Sequence, residues 1–114
     1  MELVFQERGA VNVLKVSGRI DHASASAFQE ALAPYLAACS RDAVPLALDF
    51  SAVEYISSIG LRALMLAARQ VKAQGGRIVI VALTPVVADV LRIARFDLIF
   101  PLLGDLETAM KSLA

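Results

Sequence analysis

Two nearly continuous apolar runs, residues 44–50 and 77–83, constrain the fold more than any other feature of this sequence. Both are rich in Val, Ile and Leu, a composition typical of strands that are buried on both faces of a sheet. Residues 58–73 between them have the spacing of an amphipathic helix, and Gly75 and Gly76 then provide a helix-ending signal. The apolar side chains of that helix are Leu61, Leu64, Met65, Ala68 and Val71. Strand, helix and strand within this length predict a right-handed parallel crossover.

The remaining segments add a hairpin and further helices. In chain order, we predict strands over residues 3–6 and 11–16, helices over 23–39 and 85–95, a short strand over 98–100 and a helix over 105–113. Gly9 lies between the first two strands and permits the positive φ of a tight turn, so these strands should form an antiparallel hairpin. Asp21 or Ser24 should cap the first helix. We therefore expect an α/β domain, with a mixed sheet of about five strands packed against about four helices.

Composition and charge exclude several classes of protein. The 114 residues suit a single domain spanning residues 1–114. Eleven basic and eleven acidic residues cancel, so no overall field favours nucleic acid or an anionic membrane. We find no run of roughly 20 apolar residues and no signal-peptide pattern. A cytoplasmic protein without membrane insertion is therefore expected.

Catalytic and metal-binding patterns do not stand out. The single cysteine, Cys39, and the single histidine, His22, form no cluster with metal-ligand spacing. No nucleophile, base and orienting residue are grouped, and there is no phosphate-binding loop of the GxxxxGK[ST] type. We therefore predict that the chain is not an enzyme and uses no cofactor.

The most informative segment leads from the second buried strand into the helix. Ser57 or Ser58 should cap this helix, with a stabilisation of about 1 kcal/mol. Gly60 in the first turn costs about 1 kcal/mol relative to alanine. Its presence therefore indicates a local requirement, such as the close approach of another backbone.

This segment, DFS at 49–51 followed by YISSIGLRAL at 55–64, resembles the signature of STAS domains, the family of anti-sigma factor antagonists. The resemblance covers nearly the whole chain. VLKVSGRID at 13–21 is similar to the family strand that ends in Gly-x-Leu/Ile-Asp. GRIVIV at 76–81, VLRIARF at 90–96 and DLETAM at 105–110 resemble the family's later strand and helices. The resemblance implies the same fold that the periodicity predicts.

The resemblance also implies a phosphorylated residue. The modified serine or threonine of stand-alone members lies two positions before the glycine, which is Ser58 here. Ser57 stands where the family has an aspartate, and Ile59 stands where the family has a second hydroxyl residue. Gly60 and Leu61 complete the motif at the helix N-terminus. A phosphate would add about −1.5 to −2 charges where the helix dipole favours an anion. Phosphorylation should therefore disturb a docked partner and leave the helix intact.

The implied function is partner switching in bacterial transcription regulation, as part of signal transduction in a stress response. The unphosphorylated protein, a monomer when free, would bind an anti-sigma factor that is also an ATP-dependent serine kinase and thereby release a sigma factor. Phosphorylation of Ser58 would abolish binding, and a PP2C-type phosphatase would restore it. The alternative is a non-phosphorylated STAS subunit or scaffold of a transport or signalling assembly, which the absence of the aspartate favours.

An outer stripe of the same helix is the candidate docking surface. The residues proposed to bind the partner are Asp21, Ile59, Arg62, Ala63 and Leu66. Ile59 and Leu66 could instead be covered by a neighbouring helix or loop. We expect Asp21, and also Asp49, to lie near Ser58 at one end of the sheet, although either could equally be a cap or turn residue.

Overall fold

The apolar runs of the sequence form the centre of a five-stranded sheet with the order β1-β2-β3-β4-β5. The computed structural model describes residues 1–113. The strands are β1 (Glu2–Arg8), β2 (Val11–Ile20), β3 (Leu46–Ile56), β4 (Ile78–Val81) and β5 (Leu102–Leu103). The helices are α1 (Ala25–Ala38), α2 (Ser58–Ala73), α3 (Pro85–Ile93) and α4 (Leu106–Leu113), with a 3₁₀ turn at Phe96–Leu98. β1 and β2 are antiparallel and all other pairs are parallel, which confirms the predicted fold class.

Side chains alternate between the two faces of the sheet and build two apolar layers. The larger core includes Phe28 of α1, Phe50 of β3 and Leu64 of α2, all inaccessible to solvent. The smaller core packs α4 against the other face, where Ala109 contacts the layer that contains Ala47. β3 and β4 are therefore covered on both faces, which explains why their sequences are nearly continuous apolar runs.

Local signals set most of the element boundaries. Gly9 has a φ of +71° in the turn of the β1–β2 hairpin, as its position predicted. Gly75 has a φ of +76° just after α2, a left-handed conformation that glycine adopts without steric cost. Pro85 occupies the first turn of α3. Thr84 occupies the N-cap position of α3, but its hydroxyl donates to the carbonyl of Val53 at 3.2 Å and makes no capping bond.

The segment after α3 differs from the prediction. α3 ends at Ile93 rather than Arg95, because Arg95 adopts a left-handed φ of +64° that cannot continue a helix. The strand predicted over residues 98–100 is wrong: a 3₁₀ turn occupies Phe96–Leu98, and the short β5 comes later. The amides of Ile99 and Phe100 both donate to the carbonyl of Phe96, at 3.0 and 2.8 Å. Phe96 and Phe100 are buried in this turn, whereas Leu98 and Ile99 are exposed. A short apolar run cannot by itself distinguish such a turn from a strand.

Candidate functional site

The carboxyl ends of β2 and β3 bring two predicted site residues to the same edge of the sheet. Ile20 and Ile56 are paired at the ends of these parallel strands. The amide of Ser57 donates to the carbonyl of Ile20 at 2.8 Å. Asp21 and Ser57 therefore leave the sheet side by side, as the sequence predicted for Asp21.

Ser57, rather than Ser58, caps α2. Ser57 has an extended backbone, and its Oγ accepts a hydrogen bond from the amide of Gly60 at 3.3 Å. Ser58 is the first residue of the helix and is exposed. Within residues 1–113, no hydrogen bond engages its hydroxyl. The cap is therefore complete without Ser58, and the Ser58 hydroxyl faces solvent.

Gly60 lies where the first turn of α2 touches the sheet. A Cβ at this position would be 2.8 Å from Ile20 Cγ2, 2.8 Å from Ile56 Cγ1 and 3.1 Å from the carbonyl oxygen of Ile20. The close approach expected from the sequence is confirmed. Only glycine lets the helix start this close to the ends of β2 and β3.

Asp21 organises the turn that leads into α1. Its Oδ1 accepts from the amides of Ala23 and Ser24, each at 3.1 Å, and lies 3.1 Å from the Ser24 hydroxyl. The Ser24 hydroxyl bond, aided by these amides, holds the pKa of Asp21 below its usual value. Ser24 occupies the N-cap position but makes no capping bond to the helix. The Asp21 side chain therefore shapes the approach to the helix.

Arg19 and Tyr55 also lie at this edge, although the sequence reasoning did not include them. They are paired across β2 and β3, and the Arg19 guanidinium lies 4.5 Å from the centre of the Tyr55 ring. Arg19 Nε is 3.9 Å from Asp21 Oδ2. Both side chains are exposed. The sequence could have pointed to these two residues, because each directly precedes one of the isoleucines that pair at the ends of β2 and β3. Recognising this requires only the register of the two strands.

The predicted docking stripe on α2 is exposed except at one residue. Ile59 and Leu66 are 42% and 39% exposed, so both keep apolar area that the rest of residues 1–113 leaves accessible. Arg62 is also exposed. Ala63 is only 3% exposed, and its inclusion in the docking surface was wrong. It lies in the contact between α1 and α2, beside Leu32, because the core-facing side of α2 is rotated toward α1.

Asp49 lies away from this edge, contrary to expectation. It pairs with Lys15 and Val81 within the sheet, and its Oδ1 accepts from the amide of Ser51 at 2.9 Å. β3 continues from there to Ile56, which corresponds to roughly 23 Å at about 3.3 Å per residue. The sequence suggested a shorter strand, so it placed Asp49 too near to Ser58.

A shallow groove runs beside Ser58 on the side of α2 that faces the 3₁₀ turn. Its volume is ≈ 440 Å³, and it is lined by Ser58, Ile59, Leu61, Arg62, Met65 and Phe96. We call it the proximal groove. It combines an exposed hydroxyl, apolar side chains and one cation, which is a surface suited to protein contact.

Other chemistry is not apparent in the described part of the chain. Residues 1–113 contain no group of three His, Cys, Asp or Glu side chains that could hold a metal ion. Cys39 is buried, and burial raises the pKa of its thiol. None of the described helices is long and apolar enough to cross a membrane.

Comparison with known proteins identifies the family. A family model described as "Mlab, STAS domain" matches residues 3–104. The chain belongs to the STAS domain family. BtrV of Bordetella bronchiseptica, which is named as an anti-sigma factor antagonist, is 31% identical over 109 residues, covering 96% of this STAS domain and 91% of BtrV. Of the segments that carried the resemblance, residues 57–61 form the N-cap and first turn of α2.

Solved structures share the fold. An anti-sigma factor antagonist from Mycobacterium paratuberculosis is 28% identical to this STAS domain, with a TM-score of 0.85 and coverage of 98% and 92% of the two chains. The phosphorylated form of Bacillus SpoIIAA is 15% identical, with a TM-score of 0.70 and coverage of 99% and 100%. BtrV and the Mycobacterium protein are both named as regulators, in agreement with the prediction that the chain is not an enzyme.

Proposed function

We propose that this STAS domain, acting as a single unit over residues 1–114, is an anti-sigma factor antagonist whose partner binding is switched by phosphorylation of Ser58. One observation carries the proposal: the Ser58 hydroxyl is exposed and unbonded within residues 1–113, at the start of a helix that Ser57 already caps. BtrV, at 31% identity, supports the antagonist role. SpoIIAA, which shares the fold, is described in phosphorylated and unphosphorylated forms.

A phosphate on Ser58 would act on a partner rather than on the fold. It would bring about −1.5 to −2 charges to a helix N-terminus, where free amides and the helix dipole favour an anion. The Ser57 cap and the Gly60 contact do not involve the Ser58 hydroxyl. A partner docked over Ser58, in contrast, would have to accommodate a strongly hydrated dianion.

The docking surface would combine apolar and charged side chains around that hydroxyl. Ile59 and Leu66 supply exposed apolar area, Arg62 a cation, and Asp21 a carboxylate at the adjacent edge. The partner would be an anti-sigma factor with serine kinase activity, whose capture releases a sigma factor. A PP2C-type phosphatase would return the protein to its binding form. In this cycle, the protein is a cytoplasmic monomer when it is not bound to its partner.

Recovery of the partner from a lysate of the native host tests the proposal. The wild type and Ser58→Ala should capture an anti-sigma factor with a kinase domain, whereas Ser58→Asp should capture little. Ser51→Asp is a matched control, because Ser51 is an exposed serine in β3 that lines none of the grooves beside α2. It should retain capture. Equal recovery by Ser58→Asp and wild type would contradict the switch.

A scaffold or transport role is the second candidate, and the serine at position 57 in place of the family's aspartate favours it. In that case, protein purified from its host would carry no phosphate on Ser58. Intact-mass and phosphopeptide measurements, made with and without a phosphatase inhibitor during lysis, distinguish the two functions.

A further inference from the structure

A second groove continues the proximal groove along α2. Its volume is ≈ 560 Å³, and it lies between the C-terminal half of α2, the start of β4 and the segment around Leu98. Met65 lines both grooves. Phe96 belongs to the proximal groove and Leu98 to the second, which we call the distal groove. The two grooves therefore meet at Met65 and lie on the same side of α2, and together they are called the α2 channel.

One side of the distal groove is formed by exposed apolar residues. Leu98 is 76% exposed and Ile99 is 43% exposed, beside Met65 and Ala68 of α2. Exposed apolar area of this kind is typical of contact surfaces. The channel is open along its length rather than enclosed. This shape suits a segment lying on the surface better than a small molecule enclosed by protein.

The rim of the channel is cationic. Arg62 lines the proximal groove, and Arg69, Lys72 and Arg77 line the distal groove. No acidic side chain of residues 1–113 lines either groove. Arg77 is held in place, because its Nη2 donates to the carbonyl of Leu113 at 3.0 Å. The groove on the other side of α2, against α1, has the opposite character, with Glu30 and no basic residue among its described lining.

We infer that the α2 channel binds an amphipathic helix of the partner that carries acidic residues along one flank. Its apolar face would lie on Met65 and Leu98, and its carboxylates would face Arg69 and Lys72. α2 has 16 residues, about 24 Å at 1.5 Å per residue. A partner helix of about 16 residues would therefore fill the channel. The partner is that of the proposed function, so the assignment rests on that function.

An acidic occupant would also explain the effect of phosphorylation. Ser58 lies at one end of the channel, four positions before Arg62. Its phosphate would offset the nearby cation and repel carboxylates of the docked helix. The same charge would thus remove an attraction and add a repulsion, without any change in the fold.

Two synthetic peptides test the occupant directly. The probe is a fluorescein-labelled amphipathic helix of about 16 residues with a leucine face and a glutamate flank, and its control has lysine at every glutamate position. Fluorescence anisotropy with the full chain should give at least about tenfold tighter binding of the glutamate peptide, as electrostatic complementarity requires. Amide shifts in ¹H–¹⁵N spectra should concentrate at residues 61–72 and 96–101.

Charge-reversed variants assign the binding to the rim. Arg69→Glu combined with Lys72→Glu should weaken the glutamate peptide about tenfold, and Ser58→Asp should also weaken it. Arg8→Glu is the matched control, because Arg8 is exposed at the far edge strand, and it should leave affinity unchanged. Circular dichroism and thermal melts verify that each variant is folded.

Several outcomes would overturn the inference. They are failure of the glutamate peptide to bind, equal affinity for both peptides, shifts on another face, or no effect of the double reversal. Decanoate serves as a second probe, a small amphiphilic anion. If decanoate produces the expected amide shifts and the glutamate peptide does not, the channel binds a small amphiphilic anion instead. Because the peptides need no kinase, peptide binding and the Ser58 capture experiment can fail independently. Loss of capture by Ser58→Asp without peptide binding would refute only the channel's occupant.

Discussion

Replacing Gly60 with alanine tests how the start of α2 is held against the sheet. The added methyl would lie 2.8 Å from atoms of both Ile20 and Ile56 and 3.1 Å from a backbone carbonyl. Ile20 and Ile56 are 0% and 3% exposed, so neither side chain has free space to move into. The turn of α2 or the ends of the two strands must therefore shift.

The expected loss of stability follows from two opposing effects. Overpacking of a filled core typically costs about 1–3 kcal/mol, and three tight contacts, one of them to backbone, place this site near the upper value. Alanine is favoured over glycine within a helix by about 1 kcal/mol. The net destabilisation should be about 2 kcal/mol. For 114 residues, an unfolding entropy of about 2.1 cal/mol/K per residue converts this into a fall in Tm of roughly 8 °C.

Urea unfolding followed by circular dichroism measures this change. The midpoint should fall while the m-value stays constant, because the surface exposed on unfolding is unaltered. Gly104→Ala is the control, since an added Cβ there meets nothing within 4 Å, and it should change stability by less than about 1 kcal/mol. A Gly60→Ala protein as stable as the wild type would refute the claim that close approach requires this glycine.

Two further predictions concern the turn residues around the site. Ser57→Ala should destabilise the protein by about 1 kcal/mol through loss of the cap, whereas Ser58→Ala should change stability by less than about 0.5 kcal/mol; urea unfolding compares them, and the reverse order would identify Ser58 as the cap. Because the pKa of Asp21 is lowered in the folded state, its ionised form stabilises the fold above the unfolded pKa of about 3.9, and this contribution is lost as pH falls through the folded value. Asp21→Asn should therefore lower Tm at pH 7, with a difference that shrinks below pH of about 4; a pH-independent difference in calorimetric scans would contradict the assignment.

The central crossover could be predicted from the sequence because its signals agree with one another. Apolar runs mark β3 and β4, helical spacing marks α2, and Gly75 marks the end of that helix. Both ends of α2 coincide with the predicted residues 58–73. Local propensity and burial give the same answer there, and no tertiary contact has to override them.

The errors arose where tertiary contacts decided the outcome. The apolar residues 98–100 are typical of a strand, yet the left-handed Arg95 directs the chain into a 3₁₀ turn that is anchored by the buried Phe100. Ala63 has a side chain too small to reveal which face of α2 it occupies, and the packing of α1 buries it. Asp49 was misplaced because pairing with β2 extends β3 well beyond its apolar run. Each of these required the register or packing of a second element.

The separation between fold and switch follows from the division of roles among Ser57, Ser58 and Gly60. Ser57 caps the helix and Gly60 sets its distance from the sheet, so a phosphate on Ser58 would break no side-chain hydrogen bond found within residues 1–113. Electrostatic screening at physiological salt acts over about 8 Å. At about 1.5 Å per residue, Arg62 lies about 6 Å and Arg69 about 16 Å along α2 from Ser58. A phosphate on Ser58 would therefore offset Arg62 and leave Arg69 and Lys72 attractive. If the acidic helix needs both grooves, losing its contact with the proximal groove is sufficient to release it. The distal cations would still attract the helix weakly, so the protein would bind it again quickly once the phosphate is removed.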